Sequence, residues 1–152
     1  MIKKKFGLDQ PWPFFCEEQI QIATDVLRSG KVNYWAGSQG KLFEQEFADY
    51  VGVKYAIALA NGTLAIELAL IALGIGSGDE VIVPAPYWVS YAEIIKMAEG
   101  IPVFIETSIK NDFKISPLEL KGAISSKTKM MIYSSPCNPS GSVYSKEELR
   151  SL

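Results

Sequence analysis

At 152 residues, 48% hydrophobic and 21% charged, the chain has the balance of an ordinary globular protein with room for one core. Its net charge of -2 gives no general attraction to nucleic acid or anionic lipid, so neither is expected as a partner. The sequence contains no histidine, which excludes a Ser-His-Asp triad, a Cys-His dyad and a histidine-bearing zinc site; no metal is expected. Acid–base chemistry therefore falls to lysine, carboxylate, tyrosine or a cofactor.

Lys3-Lys4-Lys5 is a basic start without the apolar core and small-residue cleavage site of a secretion signal. Cys16 and Cys137 stand far apart with no CxxC pair, which suits a reducing, cytoplasmic setting. Residues 1–15 read as an extended arm, punctuated by Pro11 and Pro13, whose Phe6, Trp12, Phe14 and Phe15 want a hydrophobic surface. Glu17–Ser29 has helical spacing, with Ile20, Ile22, Ala23, Val26 and Leu27 on a broad apolar face and Gly30 as its stop. Asn33–Gly40 reads as a loop and carries Tyr34 and Trp35. Lys41–Tyr50 is amphipathic again: Leu42, Phe43 and Phe47 are expected to face inward, and Gly52 ends the helix.

From Tyr55 the rhythm alternates. Tyr55–Ala60 reads as a strand, Asn61-Gly62 as a sharp break, and Thr63–Leu73 as a helix. The run from Tyr55 to Gly74 has roughly the 20 residues of a membrane span, but Asn61-Gly62 breaks it and Glu67 sits mid-helix. Gly62 is expected to make a turn that a side chain would obstruct, with Asn61 or Thr63 as cap. Strand, glycine turn and helix together aim free N–H groups and a positive helix end at one point, a phosphate site. The plainer alternative is a corner that caps its own helix and binds nothing.

Strands are then expected at Glu80–Val83, Pro102–Glu106 and Lys129–Ser134, and helices at Tyr87–Glu99 and Ser116–Ile124. Ser116, Pro117 and Glu119 have the pattern of a capping box with proline at the first helical position. Ser145 opens a last helix. Repeated βα units with apolar strands imply a parallel sheet between helices, an α/β/α sandwich, with ligands beyond the carboxyl ends of the strands. Three loops are expected at that edge: Asn61–Thr63, Pro84–Trp88 and Ser134–Gly141. Trp88 could stack on a flat ligand there or pack into the core. Asn138, set between Pro136 and Pro139, could donate to a fixed acceptor, although Asn-Pro is also plain turn chemistry. Phosphate cup, aromatic plate and amide donor on one rim suit a flat, phosphorylated aromatic cofactor.

Two stretches carry a resemblance. Residues 10 to about 83, with GKVNYWAG and LFEQEFADYVGVKYAIALANGTLAIELALIALGIGSGDEVIVP, resemble the DegT-type sugar aminotransferases. From about residue 84, PAPYWVSYAEIIKMAEGIPVFIETS, NDFKISPLELKGAI and SSPCNPSGSVYSKEEL resemble bacterial aspartate aminotransferases. The halves meet at GSGDEVIVPA, so the chain reads as a hybrid. Both families use pyridoxal 5′-phosphate (PLP) on one fold, fold type I. The resemblance implies an arm and helices over residues 1–50 and an incomplete N-terminal part of the PLP-binding large domain over 51–152.

Position by position, the resemblance implies that Gly62, Thr63 and the N–H of Leu64 form the phosphate cup. It implies that Trp88 stacks on the pyridine ring, that Asn138 bonds the ring's phenolic oxygen, and that both face substrate. Tyr34 and Trp35 resemble a loop near the sugar site. Cis bonds are implied at Ala85–Pro86 and Asn138–Pro139, and a dimer or higher self-association is implied because such sites lie at a subunit interface. The Schiff-base lysine, the aspartate on the pyridine nitrogen and the substrate-binding arginine lie downstream in both families and match nothing here, so the chain alone is expected not to transaminate. With Tyr55–Ala60 at one side of such a sheet and the other strands toward the opposite side, the chain is expected to rearrange, borrow strands or fold marginally. Amino donor and keto acceptor, a keto sugar or a 2-oxo acid, are the implied small-molecule partners. Two rivals remain: a non-catalytic α/β module for another phosphorylated ligand, and a hybrid polypeptide with no evolved function.

Overall fold

Glycine ends the first two helices of the described residues, as expected. The computed structural model describes residues 13–152 and divides into a unit ending at Ala58 and a unit from Leu59 to Leu152. In the first, α1 (Glu17–Ser29) stops at Gly30, whose left-handed φ of 68° turns its N–H back to the Leu27 carbonyl. Helix α2 (Gln39–Val51) stops at Gly52 with φ 77°. Between them the Asn33 side chain accepts from the N–H groups of Trp35 and Ala36 at 3.0 and 2.9 Å, an Asx turn. Gly37 is required there, since a Cβ would lie 2.5 Å from the Lys31 carbonyl oxygen.

Two expectations fail in this unit. Leu42, Phe43 and Phe47 are not inward but 48–55% exposed, and Ala48 is the one buried residue of α2. An amphipathic pattern creates an apolar face without specifying what covers it. Tyr55–Ala60 is not a strand. Its backbone has no ladder, and a β-prone run becomes a strand only through a partner. Phe14 and Phe15 of the arm are exposed, while Phe6 and Trp12 lie outside the described residues.

The second unit runs α3 (Gly62–Ala72), β1 (Glu80–Ala85), α4 (Ser90–Met97), β2 (Ile101–Glu106), a 3-10 turn (Ile109–Asn111), α5 (Pro117–Ala123), β3 (Thr128–Met131) and α6 (Lys146–Ser151). The sheet is wholly parallel, in the order β2-β1-β3. Glu80 pairs with Ile101 on one side and Thr128 on the other. A last backbone bond runs from the Ile132 N–H to the Ile82 carbonyl at 2.9 Å. Helix α4 begins later than its sequence suggests, leaving Tyr87 in the loop, where it stacks on Phe104 at 5.2 Å.

Strand β1 is central, and its Val81, Ile82 and Val83 are at most 1% exposed. Alternation sends Val81 and Val83 to one face, with Leu70, Ile75, Tyr91, Ile94 and Ile95. Ile82 goes to the other face, with Ile105, Ile115, Leu120 and Tyr144. Each such aliphatic side chain contributes about 1.5–3 kcal/mol by leaving water. Helices thus cover both faces of the sheet, an α/β/α arrangement. Ser116 and Ser145 cap α5 and α6, and Glu119 and Glu148 complete both capping boxes.

Candidate functional site

Because β1 and β3 are parallel neighbours, their carboxyl ends share one edge of the sheet. The loop after β1 carries Trp88 and the loop after β3 carries Asn138. The second loop is closed on itself: the Cys137 N–H donates to the Ser142 carbonyl at 2.8 Å, and the Gly141 N–H to the Cys137 carbonyl at 2.7 Å. The Asn138 N–H donates to Ser134 Oγ at 3.3 Å, and the Tyr144 N–H to Ser135 Oγ at 3.0 Å. Between the loops, Cys137 Sγ donates to the Pro86 carbonyl at 3.3 Å. The bonds Ala85–Pro86 and Asn138–Pro139 are cis, as the resemblance implies, and Ser135–Pro136 is cis as well.

Trp88 does two things at once. Its half-buried indole packs against the buried cluster that includes Leu70 of α3 and meets Tyr91 edge to face at 5.6 Å. It is therefore held rigidly while part of the ring stays open. Asn138 is exposed. Beneath this rim Tyr144 accepts from the Ile115 N–H at 2.9 Å, and burial pushes its phenol above the usual range.

At the start of α3, Asn61 is the cap: its Oδ1 accepts from the Leu64 N–H at 3.0 Å. The chain itself thus occupies one of the three donors assigned to the cup. Gly62 also differs from expectation. Its φ is not left-handed, and an added Cβ would meet nothing within 4 Å, so neither the turn nor its neighbours require glycine. The space above Gly62 is open.

Tyr34 and Trp35 belong to the other unit. The Tyr34 hydroxyl donates to Glu44 Oε2 at 2.8 Å, which raises its pKa, and Lys41 Nζ lies 5.4 Å from its ring centre. Trp35 is 89% exposed and borders a groove of about 580 Å³ with Asp25, Lys31 and Gln39. The structure thus brings Trp88 and Asn138 onto adjoining loops and joins α3 to the same core. Sequence reasoning missed Cys137 as the link between the loops; its place between Pro136 and Asn138 was the available signal. Among the described residues, no group of three His, Cys, Asp or Glu could hold a metal, and no helix is long and apolar enough to cross a membrane.

Comparison with known proteins adds two kinds of match. Residues 15–137 match the model of the DegT/DnrJ/EryC1/StrS aminotransferase family. An aspartate/prephenate aminotransferase of Nitrosomonas europaea is 59% identical over 96 residues, 63% of this chain and 24% of the relative. An asparagine–oxo-acid transaminase of Streptococcus mutans is 38% identical over 97% of this chain and 40% of its own length. A solved Streptococcus pneumoniae protein, described as a sugar aminotransferase in its PLP form, superposes with a TM-score of 0.71 at 32% identity, over 78% of this chain and 30% of that one. The chain spans well under half the length of these three. Likeness to both the sugar and the aspartate aminotransferases is present in one sequence.

Proposed function

Since the chain belongs to the DegT/DnrJ/EryC1/StrS aminotransferase family, we propose that it forms part of the cofactor-binding domain of a PLP-dependent aminotransferase. In this reading residues 51–152 supply phosphate and ring contacts, and residues 1–50 supply the arm and helices. One observation carries it: Trp88 and Asn138 stand on loops leaving adjacent strand ends, joined through Cys137 and Pro86.

The residues suit the group. A fixed, half-open indole offers a stacking face. An exposed carboxamide can donate to a ring oxygen. Open space over Gly62, at the positive end of an 11-residue helix, admits an anion to the N–H groups of Gly62 and Thr63. The N–H of Leu64 joins them only when Asn61 lets go. Tyr34 and Trp35 are proposed to line the substrate side.

PLP, when bound, supplies the electron sink through which an amino group passes from donor to keto acceptor. The chain's own share is to bind and orient: the α3 terminus fixes the phosphate, Trp88 fixes the ring plane, and Asn138 fixes its rotation. A lysine to hold the cofactor covalently and move the proton is not among its matching motifs, so turnover is proposed to need more than this chain. A cytoplasmic setting and self-association belong to the same proposal. The Streptococcus mutans transaminase aligns along 97% of the chain, which favours an evolved segment over a chance hybrid.

Titration with PLP, followed by absorbance and tryptophan fluorescence, tests this. Saturable binding with quenching that is lost in Trp88→Leu is expected. Preference for a nucleotide would favour a non-catalytic phosphate-ligand module instead, and no specific ligand would favour a polypeptide without function.

A further inference from the structure

The two rim loops are poor in backbone donors, because Pro86, Pro136 and Pro139 have no N–H. The loop after β3 spends the Cys137 and Gly141 N–H groups on closing itself. Among the described residues, the hydrogen bond that links the two loops is made by a side chain. It comes from Cys137, whose Sγ lies 3.3 Å from the Pro86 carbonyl oxygen. Cys137 lines, with Tyr91, Tyr133 and Tyr144, a small space of about 10 Å³ beside this contact.

We propose that Cys137 is a positioning residue: its thiol ties the loop bearing Asn138 to the loop bearing Trp88 and so sets the spacing of the two ring contacts. The proposal rests on the cofactor reading above for its consequence, but the tie itself is a property of the chain. Asn138 follows Cys137 directly, and Trp88 stands two residues after Pro86, so a shift at this bond passes to both. Among the described residues the loops have no other side-chain tie as direct: Asn138 is braced by Ser134 of its own loop, and the Ala85 carbonyl is held by the Thr107 hydroxyl after β2. Sulfur is a weak donor. Its effect is therefore expected in loop spacing and ligand affinity rather than in global stability.

The test compares the 152-residue chain with Cys137→Ala, which removes the donor, and Cys137→Ser, which keeps one. Amide exchange of Tyr91, Cys137 and Gly141, each hydrogen-bonded at these loops, is measured without ligand, and PLP affinity is measured by absorbance. The expected result is faster exchange at Tyr91, whose N–H donates to the Trp88 carbonyl at 2.9 Å, and at Cys137 and Gly141 in the alanine variant, with affinity weaker by roughly three- to tenfold, the worth of one hydrogen bond. The serine variant should return both to within about twofold of wild type, since its hydroxyl again donates. Unchanged exchange in the alanine variant, or a serine variant as impaired as alanine, overturns the proposal. A wild-type chain that binds no PLP would sink the cofactor reading, and the exchange comparison would still decide whether Cys137 ties the loops.

Discussion

Tyr34 and Glu44 are joined by a 2.8 Å hydrogen bond from the phenol to Oε2, and the other carboxylate oxygen accepts the Ala58 N–H at the same distance. The Ala58 amide first, and the Tyr34 hydroxyl second, hold the Glu44 carboxyl below the usual range. A depressed carboxylate stabilises the fold above its unfolded pKa, and that contribution is lost as pH falls through the folded value. The Ala58 amide shift should therefore titrate with a midpoint below that of an ordinary glutamate. Glu44→Ala should abolish that titration and speed Ala58 exchange at neutral pH. A midpoint at or above the usual range would contradict the geometry.

Phosphate or sulfate is expected at the start of α3. Gly62→Val fills the open space over the N–H groups with a branched side chain and should abolish binding by isothermal titration. Asn61→Ala removes the cap, at a cost to the helix of about 0.5–2 kcal/mol, but it frees the Leu64 N–H. Anion affinity in that variant should hold or rise while the thermal midpoint falls. Loss of affinity in Asn61→Ala would mean that the carboxamide, not the helix end, is the ligand.

Self-association is expected in light scattering. Ile20, Ile22 and Leu27 of α1 and Leu42, Phe43 and Phe47 of α2 are 47–70% exposed. Apolar faces of this kind recruit a cover. Phe43→Glu with Phe47→Glu should shift the distribution toward monomer, whereas a wild-type monomer at every accessible concentration would remove the idea.

Borohydride treatment of the chain with PLP should leave no single labelled lysine, and added amino acid should not be converted faster than by free cofactor. Stoichiometric labelling at one lysine, with turnover, would overturn the assignment of the chain as a binding part without its covalent lysine.

What could be read in the sequence was mostly local. Gly30, Gly52 and the Ser116-Pro117-Glu119 start of α5 act within one helical turn, and the structure places them as expected. Strand β1 was legible because three consecutive apolar residues suit a strand buried on both faces. The failures are non-local. Tyr55–Ala60 has strand composition, but pairing depends on a neighbour elsewhere. Leu42, Phe43 and Phe47 form a helix face, but their cover is not encoded in their spacing. At the rim, proline and asparagine announced the loops, while the Cys137–Pro86 bond spans 51 positions and leaves no periodic trace. Gly62 was misread because a glycine before a helix looks like a steric necessity until a Cβ is placed there.

The order β2-β1-β3 also has a temporal side. The central strand is made first, and both of its partners follow it out of the ribosome. Glu80 waits 21 residues for Ile101 and 48 for Thr128, counting along the chain between paired positions. At about 5–20 residues per second, the second wait lasts roughly 2–10 s. Through that interval the nascent chain presents Val81, Ile82 and Val83 without one of their strands, and no hairpin can shield them because every pairing is parallel. Synthesis speed between residues 86 and 131, and the holdase chaperones that meet the chain there, thus bear directly on how much of it reaches the folded state.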